Sequence, residues 1–121
     1  MTPFLRKLKV IFMSKYHSII TKESQTLHLL LNKQYIEKLV ELSIYTGMHA
    51  NMVLAHLILL ENEKDSKKEE FYYENTNRID KKLVLSKDVF DMLNEQSGFP
   101  DNNRTQYAIH LINKHYKKIF E

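Results

Sequence analysis

Six histidines are the residues in this 121-residue chain best suited to hold a metal or move a proton, and their spacing favours neither role. His49 and His56 are seven apart and His110 and His115 five apart, whereas two imidazoles share a helix face at i, i+4. There are no cysteines, which excludes disulfides and thiolate metal sites. The two glycines, Gly47 and Gly98, lie 51 positions apart, so no glycine-rich loop can cradle a phosphate. No Ser-His-Asp set or carboxylate pair stands out by spacing. The expectation is no catalytic residue, no metal, no cofactor and no small-molecule substrate; the chain is not expected to be an enzyme.

The chemistry left is recognition, and it falls on the stretch from Thr26 to Leu60. Leu27, Leu29 and Leu31 alternate at period two, the pattern of a half-buried strand. Asn32 follows as a helix cap. Tyr35, Ile36, Leu39, Val40 and Leu42 then recur at helical spacing as far as Thr46-Gly47. A second helical stripe holds Val53, Leu54, Leu57, Ile58 and Leu60. Such a strand-helix-helix unit is too small to bury its own apolar faces.

Composition sets the frame. With 43% hydrophobic residues the chain is long enough for one core, and two prolines and two glycines argue for a mainly helical fold. The net charge of +3 is unevenly spread. Residues 1–23 carry a net +4, and residues 61–77 a net −3. Thr2-Pro3 followed by Phe4, Leu5, Leu8, Ile11 and Phe12 outlines a basic amphipathic helix, although Lys9 to Met13 also suits a strand. That segment either packs on the core or forms a basic arm that touches phosphates or a membrane surface. A secretory leader is not expected, because the apolar run is short and no small-residue cleavage site follows. No run reaches the roughly 18 residues of a membrane span, so no membrane partner is expected, and the lack of cysteine fits an intracellular location. Phe71-Tyr72-Tyr73 is the apolar cluster of the linker, and either folds back on a helix or stacks on bases.

The pattern returns later in the chain. Lys82-Leu83-Val84-Leu85 alternates, Ser86 is a cap, Asp88 stands in a first turn, and Val89, Phe90 and Leu93 form a helical stripe ending at Ser97-Gly98. After the turn at residues 99–103, with Asn103 as cap, Tyr107, Ala108, Leu111, Ile112 and Tyr116 mark a last helix. Shifted by 54 positions, the two units coincide in role without a gap: Leu29 with Leu83, Leu31 with Leu85, Asn32 with Ser86, Leu39 with Leu93, and Leu57 with Leu111. The glycines do not align, so the third helix is expected to be about a turn shorter than the first. Leu42 falls opposite Gln96, which suggests that this helix frays early. The domains expected are a basic segment 1–23, a first unit 24–64, a charged linker 65–77 and a second unit 78–121.

Leu31, Tyr35, Leu39, Leu42, Thr46-Gly47 and Val53-Leu54 together resemble the ribbon-helix-helix family of Arc and MetJ type repressors. The match from Leu85 to Ile112 is looser. Two copies in one chain resemble the tandem regulators encoded by some archaeal viruses, in which one polypeptide supplies a pseudo-dimer. The resemblance implies a mainly α fold, a tandem ribbon-helix-helix pseudo-dimer around one two-stranded antiparallel ribbon. It implies a sequence-preferring transcriptional regulator, repressor or activator, that inserts the ribbon into the major groove of double-stranded DNA. The lysine-, isoleucine-, asparagine- and tyrosine-rich composition is compatible with an AT-rich genome. Self-association on DNA and, for a viral protein, the host cytoplasm follow as expectations.

With Leu27, Leu29 and Leu31 turned to the core, Thr26, His28 and Leu30 point outwards, and the equivalents are Asp80, Lys82 and Val84. By the resemblance these six read base edges. Thr26, His28 and Lys82 would bond to purine or thymine acceptors, and Leu30 and Val84 would pack on thymine methyls. Asp80 would accept from a cytosine amine or sit beyond the groove. The family binds phosphates at the N-terminus of each second helix, which here means His49, Ala50 and Asn51, and Asn103, Arg104 and Thr105. Lys33 and Lys87 either join them or are plain solvated charges. The second site, with its better cap, is expected to grip better. The competing reading is a protein–protein interaction module, antitoxin-like or structural, in which Leu30 and Val84 are covered by protein.

Overall fold

The computed structural model describes residues 23–61, 71–100 and 102–121. The expected N-terminal helix, residues 62–64 of the expected first unit, and residues 65–70 of the charged linker lie outside them. The elements run β1 (Ser24–Leu31), α1 (Lys33–Thr46), α2 (Ala50–Glu61), β2 (Ile79–Ser86), α3 (Lys87–Ser97) and α4 (Arg104–Phe120). The described residues are mainly helical, with one two-stranded antiparallel sheet.

Each boundary has a local cause. The Asn32 side chain accepts from the Gln34 N–H at 2.9 Å and so starts α1. The Ser86 hydroxyl accepts from the Val89 N–H and starts α3, whose first turn carries Asp88 at the positive end of the helix dipole. Asn103 accepts from the N–H groups of both Thr105 and Gln106 and starts α4. Gly47 and Gly98 end α1 and α3 in the left-handed region, at φ +73° and +78°, where a side chain is strained. A Cβ at Gly47 would meet open space, whereas one at Gly98 would lie 2.8 Å from the Asn102 amide nitrogen.

The third helix has 11 residues against 14 in the first, as the displaced glycine led us to expect. It does not fray at Gln96. That side chain donates to the Ile58 carbonyl and accepts from the Tyr107 hydroxyl, both at 2.9 Å. A polar residue opposite Leu42 marks a half-buried hydrogen-bond bridge between α3, α2 and α4, not a loose end.

The strands pair with His28 opposite Lys82, Thr26 opposite Val84 and Leu30 opposite Asp80. His28 and Lys82 are the same position under the 54-position shift, so the repeat is centred on this pair. Equal positions can face each other in antiparallel strands only at a local two-fold centre. The helices follow the same exchange. α2 packs on β2 and α4 packs on β1, so each unit's second helix covers the strand of the other. Neither unit has a core of its own; Leu27, Leu29, Leu31, Leu83 and Leu85 sit in one shared apolar cluster with residues from all four helices.

α2 departs from the expected single stripe. Every residue from Val53 to Glu61 is buried, because α2 touches α1, α3, α4 and β2 and has no solvent face there. Among the described residues no single helix is long and apolar enough to cross a membrane; α1 and α2 have the apolar length together but bend by 90° at their junction.

Burial of α2 takes two titratable groups, His56 and Glu61, out of solvent. His56 is fully buried and its Nδ1 bonds to the Met52 carbonyl, so that nitrogen carries the proton in the neutral ring. Desolvation lowers its pKa from 6.5 to about 4, against a smaller opposing pull from the Met52 carbonyl. A depressed folded-state pKa means the unfolded chain takes up the proton first. The stability is therefore complete above pH 6.5 and lost as pH falls towards 4. The expected loss is roughly 3 kcal/mol, on the order of 1.4 kcal/mol per pKa unit. Urea midpoints measured from pH 7 to 4 on wild type and His56→Leu should diverge by that amount, with the leucine variant showing the flatter profile.

Candidate functional site on the ribbon face

Alternation along both strands divides the ribbon into two faces. Leu27, Leu29, Leu83 and Leu85 are at most 1% exposed, while Thr26, His28, Leu30, Asp80, Lys82 and Val84 are all exposed on the other side. The six expected reading residues thus form one surface, in three cross-strand rows. Thr26 and Val84 make one end, His28 and Lys82 the middle, and Leu30 and Asp80 the other end. Leu30 and Val84 are 43% and 45% exposed, an apolar residue at each end that no described residue covers.

The face is not symmetric in charge. His28 leans across the ribbon, with its Nδ1 3.3 Å from both carboxylate oxygens of Asp80. A carboxylate only accepts, so Nδ1 is the protonated nitrogen and Nε2 is directed elsewhere. Both groups are about half exposed, and a pair of this kind contributes little to stability. Its effect is to occupy Asp80 and to leave Lys82 as the dominant charge at the centre.

The ends of the second helices flank this face. A cleft of about 430 Å³ beside His28 is lined by Phe99, Asn103, Arg104 and Thr105, so the middle of the ribbon face and the α4 N-terminus share one depression. Arg104 is oriented within it. Its guanidinium donates to Asn94 at 3.0 Å and lies over the Phe99 ring at 4.3 Å and the Phe90 ring at 5.1 Å. At α2, the Asn51 side chain accepts from the Val84 N–H at 3.1 Å, which ties that helix start to the edge of β2. His49 is exposed, and its carbonyl accepts from the Val53 N–H. Ala50 is half-buried. Lys33 and Lys87 each stand one turn from an acid, Glu37 at 3.7 Å and Asp91 at 3.5 Å, in exposed pairs that a stronger anion can displace.

Two features escaped the reading of the sequence. The first is the aromatic cradle of Arg104, built from residues 5 and 14 positions away, for which the local pattern holds no signal. The second is residues 74–78, which are bonded to the β1–α1 junction; the fold-back of Phe71-Tyr72-Tyr73 on a helix is one of the two expected outcomes. The Asn75 amide donates to the Leu30 carbonyl and its oxygen accepts from the Asn32 N–H, at 2.8 and 2.7 Å. The Tyr73 backbone exchanges two hydrogen bonds with the Gln106 side chain, its hydroxyl bonds to His110, and Phe71 stacks on the His110 ring at 3.8 Å. The cluster Phe71-Tyr72-Tyr73 folds back on α4, except that Tyr72 points to solvent. Among the described residues no group of histidines and acids is arranged to hold a metal.

Comparison with protein-family models, curated proteins and solved structures returned no match to this chain.

Proposed function

We propose that this chain is a sequence-preferring double-stranded DNA-binding regulator of the ribbon-helix-helix type, with two units folded as an intrachain pseudo-dimer that places its ribbon in the major groove. The observation that carries this reading is the register of the ribbon. It sets His28 against Lys82 at the centre of the 54-residue repeat and turns Thr26, Leu30, Asp80 and Val84 outwards with them. A major groove about 12 Å wide admits a two-stranded ribbon, and outward side chains at every second residue then meet base edges. Two different strands make the ribbon, so its minimal site need not be palindromic. The α4 cleft beside His28 and the N-terminus of α2 beside Val84 are the places for the phosphates on either side.

A second reading, a protein–protein interaction module, has its own observation. Leu30 and Val84 on the ribbon, and Val40 and Ile44 on α1, are apolar and exposed. Duplex binding measured against salt separates the two. A chain that neutralises about six phosphates loses roughly a thousandfold in affinity between 50 and 200 mM salt, and an interaction module binds no duplex even at the lower value.

A further inference from the structure

We propose that residues 71–78 form a fixed strap carrying a second, one-sided contact to the phosphodiester backbone, made by Tyr72 and Arg78. The inference rests on the DNA-binding reading above and adds a contact outside the ribbon and outside the helix N-termini.

The strap is held at both ends and in its middle. Phe71 and Tyr73 are anchored on α4, the Glu74 carbonyl accepts from the Tyr35 hydroxyl, and Asn75 and Thr76 are bonded to the β1–α1 junction. It turns into β2 at Asn77, which has φ +50°, a conformation that asparagine tolerates better than most side chains. Tyr72 sits between two anchored aromatic neighbours and is itself 88% exposed, the highest among the large apolar side chains of the described residues. A rigid backbone that presents a bare tyrosine lowers the entropy lost when that ring is covered.

The surroundings identify what covers it. Tyr72 and Arg78 line one cleft with Leu30, Thr76, Asn103 and Thr105. That cleft runs from the ribbon face to the capped start of α4, so a duplex seated on Leu30 carries its backbone past both side chains. The arginine supplies a directional, charge-assisted donor fork and the tyrosine a hydroxyl donor and an apolar face for deoxyribose. Glu74 lines the same cleft, so an acid stands on the wall that carries the arginine. The contact is one-sided because the repeat does not reproduce it. Fifty-four positions earlier, Tyr72 and Arg78 correspond to Ser18 and Ser24.

The test is anisotropy titration of the full chain on a long duplex and on duplexes trimmed on either flank of the site. Tyr72→Ala with Arg78→Ala should weaken binding to the long duplex by about tenfold, the scale of one charged hydrogen bond, with unchanged thermal midpoint. Its salt slope should be shallower by about 1, and Glu74→Gln should shift affinity and slope the other way. Trimming one flank, and not the other, should abolish the difference between variant and wild type. Equal binding of variant and wild type to the long duplex overturns the strap contact and leaves the ribbon reading intact. A loss that persists on both trimmed duplexes overturns it too, as a diffuse charge effect. Absence of duplex binding by wild type removes the ribbon reading and the strap contact together.

Discussion

Replacing His28 and Lys82 together by alanine is expected to remove most of the preference among DNA sequences while leaving the chain folded. The two side chains face each other at the centre of the ribbon and are exposed, so their loss opens no cavity. A good side-chain contact to a base edge is worth about 1–3 kcal/mol of discrimination. Losing two should lower the ratio of preferred to scrambled duplex affinity by roughly thirtyfold to twenty-thousandfold at fixed salt. Binding to scrambled duplex should fall far less, because phosphates supply most of that affinity. His28→Ala also frees Asp80 from its histidine, so an Asp80→Asn companion shows how much of the change comes from an uncovered carboxylate. Competition titrations against the two duplexes, with a thermal melt of each variant, measure all of this.

A second large effect on stability is expected at the far end of the core. Glu61 closes α2 with its side chain 5% exposed, 2.7 Å from the Lys114 ammonium and 3.5 Å from His115 Nε2 on α4. The carboxylate is also close enough to help push the Tyr107 hydroxyl well above its ordinary pKa, although desolvation of that buried tyrosine is the larger cause. Lys114→Met leaves an acid in a nearly dry site without its main counter-charge. The expected cost is about 2–3 kcal/mol in urea unfolding, because Glu61 is buried although Lys114 is 30% exposed, and stripping a buried acid of its partner is far worse than replacing both. Glu61→Leu combined with Lys114→Met should recover most of it. Equal destabilisation by the single and double variants would show that packing of the lysine stem, not the ion pair, ties α2 to α4.

The ribbon was the most legible part of the fold, for a simple reason. A period-two pattern flips every side chain if the register slips by one, so Leu27, Leu29 and Leu31 settle where Thr26, His28 and Leu30 must point. The caps Asn32, Ser86 and Asn103 were legible because the chemistry of a helix start is local. The strands extend beyond the apolar alternation, to Ser24 and to Ile79, because backbone pairing continues where side chains no longer report it. What was not legible depends on partners distant in the chain. α2 is buried on all sides because three helices and a strand meet around it, and a stripe of apolar positions reveals one face only. Gln96 and the strap asparagine Asn75 are polar residues whose roles exist only once α2, α4 and the β1–α1 junction have come together, and His56 is buried only by the packing around α2. Asn51 and Arg104, expected at phosphates, already make bonds that orient them, to the Val84 N–H and to Asn94.

The central claim is that one chain lays the face centred on His28 and Lys82 along the floor of the major groove. Dimethyl sulfate protection tests it directly, because the reagent modifies guanine N7 in the major groove and adenine N3 in the minor groove. On a duplex carrying a selected site, the account predicts N7 protection over a few adjacent base pairs, unchanged N3 reactivity there, and loss of that protection in the His28→Ala, Lys82→Ala double variant. Bound protein that leaves every N7 reactive, or protects N3 instead, would contradict it.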